Sequence, residues 1–500
     1  MLATVPSATL IGVEGHSVCV EVHTSPGVPG FSVVGLPDAT CRESRDRVRS
    51  ALMSSGKKWP PNRMTVNLAP SHTRKTGAGL DLAIAIGLLA ADRQIPVEHL
   101  NGWGFIGELG LDGTLRAVAG TLPLSTVCDG RPVVPMRALA EARLTRPDAV
   151  GARTLEEVLA RISGEQAWEE PETAAESIVR APEVDLSEVR GQIVARVALE
   201  VAAAGSHHLL LVGPPGAGKT MLAERLAGVL PDLTSDEALL VTSIHSAGGR
   251  LKDPTELVRR PPYRAPHHTA SMAALVGGGS SVVKPGEVSL ASSGVLFLDE
   301  LGEFPAAHLD ALRQPLESGL IRISRAAISV ELPADVQLVA ATNPCPCGVG
   351  QWGECRCSTA QLARYARRLS GPILDRFDLR LGVAPPDPTL AFDGVPGECS
   401  SDVRRRVQMA RIQAINRGVR ANRFLKGDAL EHHAPLDAEA TELLKSRLAS
   451  GSLTMRGASR TRAVALTLVD LATEKPPLRR SHIEQALALR GGNSDMEWAA

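Results

Sequence analysis

The residues with the clearest chemistry are Gly213, Pro214, Pro215, Gly216, Ala217, Gly218, Lys219 and Thr220, which fit the pattern G-x-x-x-x-G-K-[ST]. Glycines free backbone N–H groups to face phosphate oxygens, and a helix starting at the end of the run adds the positive end of its dipole. Lysine at this place bridges the β- and γ-phosphates of a nucleoside triphosphate, and the last hydroxyl serves Mg²⁺. ATP and Mg²⁺ are therefore the expected cofactors, with Lys219 on the phosphates and Thr220 on the metal. The alternative is a chance Gly/Pro turn. Against it stand the apolar run LLLV before the motif and the helical pattern MLAERLAGVL after it.

Splitting a phosphoanhydride also needs acids and a positive charge. The apolar run VLFL ends in Asp299 and Glu300, 80 positions after Lys219. Asp299 is expected on Mg²⁺ and Glu300 on the attacking water. Asn343, closing VQLVAATN, reads as a polar sensor between the γ-phosphate and that water, or as an asparagine serving a turn before Pro344. A supplied arginine is worth roughly 10³ to 10⁵ in rate. Arg376, in LSGPILDRFDL, is the candidate finger for a neighbour's ATP, with a salt bridge to Asp375 or Asp378 as its plainer reading. Arg456, in TMRGASR, is a candidate lid sensor with Arg460 as its rival. Cys345, Cys347, Cys355 and Cys357 form two C-x-C pairs seven residues apart. Four thiolates suit a closed tetrahedral Zn²⁺ site of structural type. Free thiols and a redox pair are the other readings.

These residues need elements to hold them. LLLVG, VLFLDE and VQLVAATN alternate with helical segments, as in a parallel α/β sheet whose chemistry sits at the carboxyl ends of its strands. Residues 1–163 mix strands, turns and helical patterns. VCVEVHTSPGVPGFSVVGL reads as two strands joined by a Pro/Gly turn, and Leu80 to Ala91 as a buried helix. An acidic linker spans 164–185, the α/β part 186–385 with a cysteine insert at 345–357, and a helical part 386–500.

Composition narrows the partners. A net charge of −1 supplies no global basic field for nucleic acid, and aromatics at 3% argue against base stacking as the main binding mode. Local Lys/Arg contacts to backbone phosphates remain. The longest apolar stretch is too short to cross a bilayer, and MLATVPSATL does not look like a signal peptide, so a cytoplasmic location without membrane contact is expected.

The runs RAPHHTASMAALVGGGSSVVKPGEVSLASSGVLFLDELGEF, LRQPLESGLIRISR and ATNPCPCG, with GVPGFSVVGLPDATCRESRDRVRSAL near the start, resemble the magnesium-chelatase-like AAA+ ATPases of the YifB/ComM type. The resemblance covers essentially the whole chain. It implies a Lon-protease-like α+β domain, an AAA+ domain and a helical lid, assembled as a homo-hexamer. Well-known members are DNA-dependent branch-migration motors acting on single-stranded or branched DNA. A magnesium-chelatase-type subunit, or another AAA+ remodeller, is the alternative. Where a Lon-type nucleophile would fall stand Gly77, Ala78 and Gly79, with Ser71, Thr73 and Thr76 only nearby, so peptidase activity is not expected. LIRISRAAISVEL reads as a β-hairpin, which lines the pore in MCM-like relatives. Arg322, Arg325 and, from a flexible insert, Lys284 are its candidate DNA contacts, with ordinary solvated charge as the alternative. His267 and His268 read equally as packing or functional residues.

Overall fold

The computed structural model describes residues 1–169, 184–251, 254–279, 282–325, 328–368, 371–389 and 394–491. Most of the acidic linker, the tip of the hairpin at 326–327 and the Arg325 side chain lie outside them.

The chain opens with β1 (Leu2–Ile11) and β2 (Glu14–Ser25), an antiparallel hairpin registered from Leu2↔His23 to Ile11↔Glu14. Next come β3 (Gly30–Val34), the helix Ala39–Ser54 and β4 (Arg63–Ala69). The expected pair of strands after Val18 is present, but the two are not neighbours. β4 inserts between them, antiparallel to β2 and parallel to β3, giving the order β1-β2-β4-β3. The helix between β3 and β4 supplies the crossover that a parallel pair requires. The buried helix is Asp81–Ala91, and every residue in it is buried. Gly87 brings it onto the sheet, since a Cβ there would lie 2.7 Å from Val22 Cγ2. Asp81 is tolerated inside because Arg47 donates to it from Nε (2.7 Å) and Nη2 (3.0 Å). Short strands complete the region: β5 (Trp103–Phe105), β6 (Glu108–Leu109), β7 (Leu115–Arg116), β8 (Arg131–Pro135) and β9 (Val150–Ala152). Thr76 is held structurally, its hydroxyl donating to the Leu10 carbonyl at 2.7 Å.

The second region is a parallel sheet of β10 (Leu209–Val212), β11 (Tyr263–Arg264), β12 (Val295–Leu298), β15 (Gln337–Thr342) and β16 (Leu379–Gly382). Its order is β11-β12-β15-β10-β16, and every neighbouring pair is parallel. All four residues of β10 and all six of β15 are buried, which suits strands covered on both faces. The hairpin is β13 (Leu320–Arg325) with β14 (Ile328–Pro333), registered Leu320↔Pro333 through Arg325↔Ile328.

Helices Ser400–Asn416, Ala438–Ala449, Met455–Leu471 and Arg480–Ala488 follow. One apolar core runs without a break from Leu209 and Leu211 through the helix Ile193–Gly205 to Val403, Val464 and Ile483. The N-terminal region docks on the sheet region twice. Val13, in the β1–β2 turn, belongs to the same core as Val330 and Leu332 of β14. Glu141 accepts from Leu122 N (2.9 Å) and from Ser246 Oγ (2.5 Å) across the junction. No described helix is long and apolar enough to cross a membrane.

Candidate functional site

β10 delivers the chain into the glycine run, and the helix Lys219–Val229 starts at Lys219. Gly216 (φ +78°) and Gly218 (φ +86°) take left-handed backbone, with open space where a Cβ would point. That is the geometry that turns successive N–H groups toward one centre. Lys219 is only 9% exposed, and its Nζ donates to Gly213 O (2.7 Å), Pro214 O (2.9 Å) and Asn343 Oδ1 (3.2 Å). Burial lowers its pKa, and the charges of Asp299 and Glu300 oppose that shift.

The strand order explains why distant residues meet. β15 lies between β10 and β12, so Asn343 at its carboxyl end falls between Lys219 and the Asp299/Glu300 pair. Thr220 Oγ1 donates to Asp299 Oδ2 at 2.8 Å. Two hard oxygens at that separation match adjacent corners of a Mg²⁺ octahedron, about 2.9 Å apart for bonds near 2.05 Å. Glu300 takes left-handed backbone (φ +51°), and its N–H donates to Asp299 Oδ1 at 2.9 Å. Non-glycine residues in that region carry strain and cluster at functional sites. The cavity has a volume of ≈ 390 Å³ and is lined by Gly216, Lys219, Thr220, Asp299, Glu300 and Asn343 among others. A second hollow of ≈ 260 Å³ shares Gly216, Ala217, Gly218 and Met221 with it and adds Val189, Gln192, Leu222 and Pro386.

His268 is a residue the sequence reading left undecided. Its Nδ1 lies 3.3 Å from Glu300 Oε2, and its ring packs at a tilt of 33° against His267 at 4.1 Å and meets Phe304 edge-on at 6.4 Å. The signal was present in the sequence: the HH pair closely follows the run that becomes β11, the strand beside β12.

Arg376 precedes β16 and is therefore at the opposite ends of the strands from the glycine run. It is 7% exposed, and its Nη2 donates to Glu317 Oε1 at 2.5 Å. Arg456 Nη2 reaches the same oxygen at 3.3 Å. Arg460 lies 3.4 Å from Asp378 Oδ1 and also donates to the Asp375 carbonyl. All three arginines line one cavity of ≈ 580 Å³. The structure thus joins Arg456 to Arg376, and neither lines the phosphate cavity of its own chain.

The four cysteines converge. Sγ separations are 3.2 Å for Cys345–Cys347 and 3.7 Å for both Cys345–Cys355 and Cys347–Cys355, and all four sulfurs including Cys357 lie within 4.8 Å of one another. A tetrahedron with 2.3 Å Zn–S bonds has edges of about 3.8 Å, so the donor set fits. Backbone N–H groups of Val349 and Arg356 lower the Cys347 thiol to about 6. The loop touches the glycine run, since a Cβ on Gly348 would lie 2.8 Å from Pro215 Cδ. Beyond it, Tyr365 donates from its hydroxyl to Asn343 O at 3.1 Å.

Arg322 Nε donates to Glu331 Oε1 at 2.8 Å across the ladder, so it already has a carboxylate. On either side of residues 280–281, which lie outside the described residues, Lys284 N donates to Gly278 O (2.9 Å) and Gly278 N to Lys284 O (3.1 Å). Short glycines let the two backbones close, and the Lys284 side chain stays exposed.

Family models described as magnesium chelatase, subunit ChlI, match residues 185–389; subunit ChlI of Mg-chelatase, 20–132; and the ChlI C-terminal part, 397–490. The competence protein ComM of Haemophilus influenzae is 43% identical over 98% of this chain and 97% of its own. YifB of Escherichia coli is 42% identical over the same shares. The chain belongs to the YifB/ComM family of magnesium-chelatase-like AAA+ ATPases. An MCM-type protein of Methanocaldococcus jannaschii is 27% identical over 34% of this chain and 21% of its own length.

Proposed function

We propose that this family member is an ATP-driven ring motor, a homo-hexamer, that acts on single-stranded or branched DNA. The observation that carries the reading is the division of the machinery between the two ends of one sheet. Lys219, Thr220, Asp299, Glu300 and Asn343 share a cavity at the carboxyl ends, whereas Arg376 lies at the amino ends. Strands of four residues, at about 3.3 Å each, separate them by roughly 13 Å. Arg376 therefore serves a neighbouring copy's phosphates.

In this reading Lys219 grips the β- and γ-phosphates, Thr220 and Asp299 hold Mg²⁺, Glu300 polarises water and Asn343 orients it. Bound Mg²⁺ neutralises charge building on the phosphate oxygens. Zn²⁺ in the four-cysteine loop is structural, because four protein ligands leave no open position. It would brace Pro215 and Asn343. The N-terminal region is a Lon-like scaffold. DNA is favoured over a porphyrin by the competence protein among the relatives and by the hairpin that precedes the sensor strand in the chain. Arg325 and Lys284 are its phosphate contacts, with Arg322 available once Glu331 releases it.

ATPase rate with and without single-stranded DNA at low salt, where phosphate contacts are strongest, tests the substrate. DNA stimulation that vanishes in Lys219→Ala and Glu300→Gln is expected. Stimulation by porphyrin partners instead would favour a chelatase subunit, which the family models' own description also names. Mixing Arg376→Ala with Lys219→Ala subunits should restore part of the rate. Failure at every ratio would refute the shared site.

A further inference from the structure

Glu317 stands where three parts of the molecule meet. It lies in the last turn of the helix Ala306–Ser318, which ends at Gly319 in left-handed backbone (φ +71°). β13 of the hairpin begins at the next residue, Leu320. A single residue, Gly319, therefore connects the helix carrying Glu317 to the hairpin stem, and Ala334 N, just past β14, donates to Gly319 O at 2.8 Å. One carboxylate oxygen of Glu317 accepts from both Arg376 (2.5 Å) and Arg456 (3.3 Å). Those arginines come from separate elements, one ahead of β16 and one at the start of the helix Met455–Leu471.

The pairing is of a kind that phosphate displaces. Glu317 and Arg456 are 51% and 55% exposed in their side chains, so that ion pair contributes little, and the Arg376 side chain, 9% exposed, makes the stronger of the two ties. A triphosphate carries more charge and offers guanidinium groups several oxygens, which makes bidentate contacts stronger than a single shared carboxylate oxygen. The cavity around them, ≈ 580 Å³, also presents Arg423, Lys426 and Arg460; Asp335 lies 3.6 Å from Arg423 and Asp378 3.4 Å from Arg460, so the five basic side chains still outnumber the three acids, Glu317 included.

We propose that Glu317 is the joint through which a neighbouring copy's nucleotide moves the hairpin. In the chain by itself Glu317 clasps Arg376 and Arg456 and fixes the hairpin stem. When phosphates of a neighbour's nucleotide take the two arginines, Glu317 loses its partners, and the turn at Gly319 is freed together with β13 and β14. Glu317 is a positioning residue and touches no reacting atom. The proposal rests on the reading that Arg376 meets a neighbour's nucleotide.

The test is hydrogen–deuterium exchange of residues 319–334 in the full chain, with and without AMP-PNP and Mg²⁺, for the wild type and Glu317→Gln. In the wild type the analogue should speed hairpin exchange about fivefold, the factor a surface ion pair can supply. In Glu317→Gln, exchange without nucleotide should already match the wild type with analogue, and the analogue should add little. Arg456→Ala, an exposed change that folds readily, should give a partial form of the same shift. A wild-type hairpin indifferent to AMP-PNP overturns the proposal, as does a Glu317→Gln hairpin that responds as the wild type does. If the amide variant does not fold, Glu317→Asp, one methylene shorter, takes its place with the same two readings. Subunit mixing separates the layers: no rescue sinks the shared site itself, whereas rescue with unchanged hairpin exchange sinks only the joint.

Discussion

Two glycines of the phosphate loop should fail in different ways when replaced by alanine. At Gly213 the backbone angle suits any residue, but an added Cβ would lie 2.2 Å from Val383 O. That oxygen would have to recede by about 1.2 Å to reach ordinary 3.4 Å contact. It cannot do so freely, because Val383 N donates to Val212 O at 2.7 Å, and on the other flank Gly213 N donates to Thr342 O at 3.2 Å. Overpacking of this sort costs about 1–3 kcal/mol, and loosening one ladder hydrogen bond adds about 1. Gly218→Ala meets no neighbour, so its cost is the left-handed backbone alone, about 1 kcal/mol. Its methyl group, however, enters the phosphate cavity that Gly218 lines. Urea unfolding followed by tryptophan fluorescence should therefore rank Gly213→Ala well below Gly218→Ala. Binding of a fluorescent ATP analogue to the folded fraction should rank them the other way. A Gly213→Ala midpoint equal to or above that of Gly218→Ala would refute the packing argument.

Other expectations follow from single contacts. Tyr365→Phe removes the hydroxyl that touches Asn343 O and Thr342 Oγ1, leaving the fold about 1 kcal/mol weaker. If that hydroxyl sets Asn343, kcat falls while KM for ATP holds, and an unchanged kcat would make Tyr365 purely structural. Metal analysis of the purified chain should find roughly one zinc per chain, lost in Cys355→Ser together with protection of the 345–357 loop from proteolysis. Burial raises the Asp81 pKa from 3.8 to about 6, so the folded chain takes this proton more readily than the unfolded one. Stability at this site is therefore gained as pH falls through 6 and lost as it rises. Asp81→Asn should flatten the unfolding midpoint between pH 4 and 7 relative to the wild type. His268→Ala should change kcat more than KM, because the Nδ1 contact is to Glu300 and not to the glycine run.

Much of this molecule is written locally. The buried helix could be read because every residue from Leu82 to Ala91 is apolar or small, a pattern with no solvent face. The three central strands β10, β12 and β15 could be read because they are continuous apolar runs ending in polar residues, whereas β11 (YR) and β16 (LRLG) at the two edges are not. Harder were contacts whose partners lie far apart in the chain. The two strands after Val18 looked like a hairpin because β-branched runs flank a Pro/Gly turn. Nothing nearby says that β4, some 30 residues on, inserts between them. The backbone pair between Gly278 and Lys284 likewise leaves no mark in the run of small residues around it.

By itself, the sequence determined the kind of chemistry: a glycine run, a lysine, a hydroxyl and two acids whose identities and spacing suit a triphosphate and a divalent metal. Tertiary structure alone decided which residues share a space. β15 sits between β10 and β12 and so carries Asn343 to Lys219. Placing β16 beside β10 puts Arg376 at the far ends of the strands, where Glu317 and Arg456 join it. The reason is that residue type governs what a group can bind, whereas strand order is set by long-range burial and leaves no local trace in the sequence.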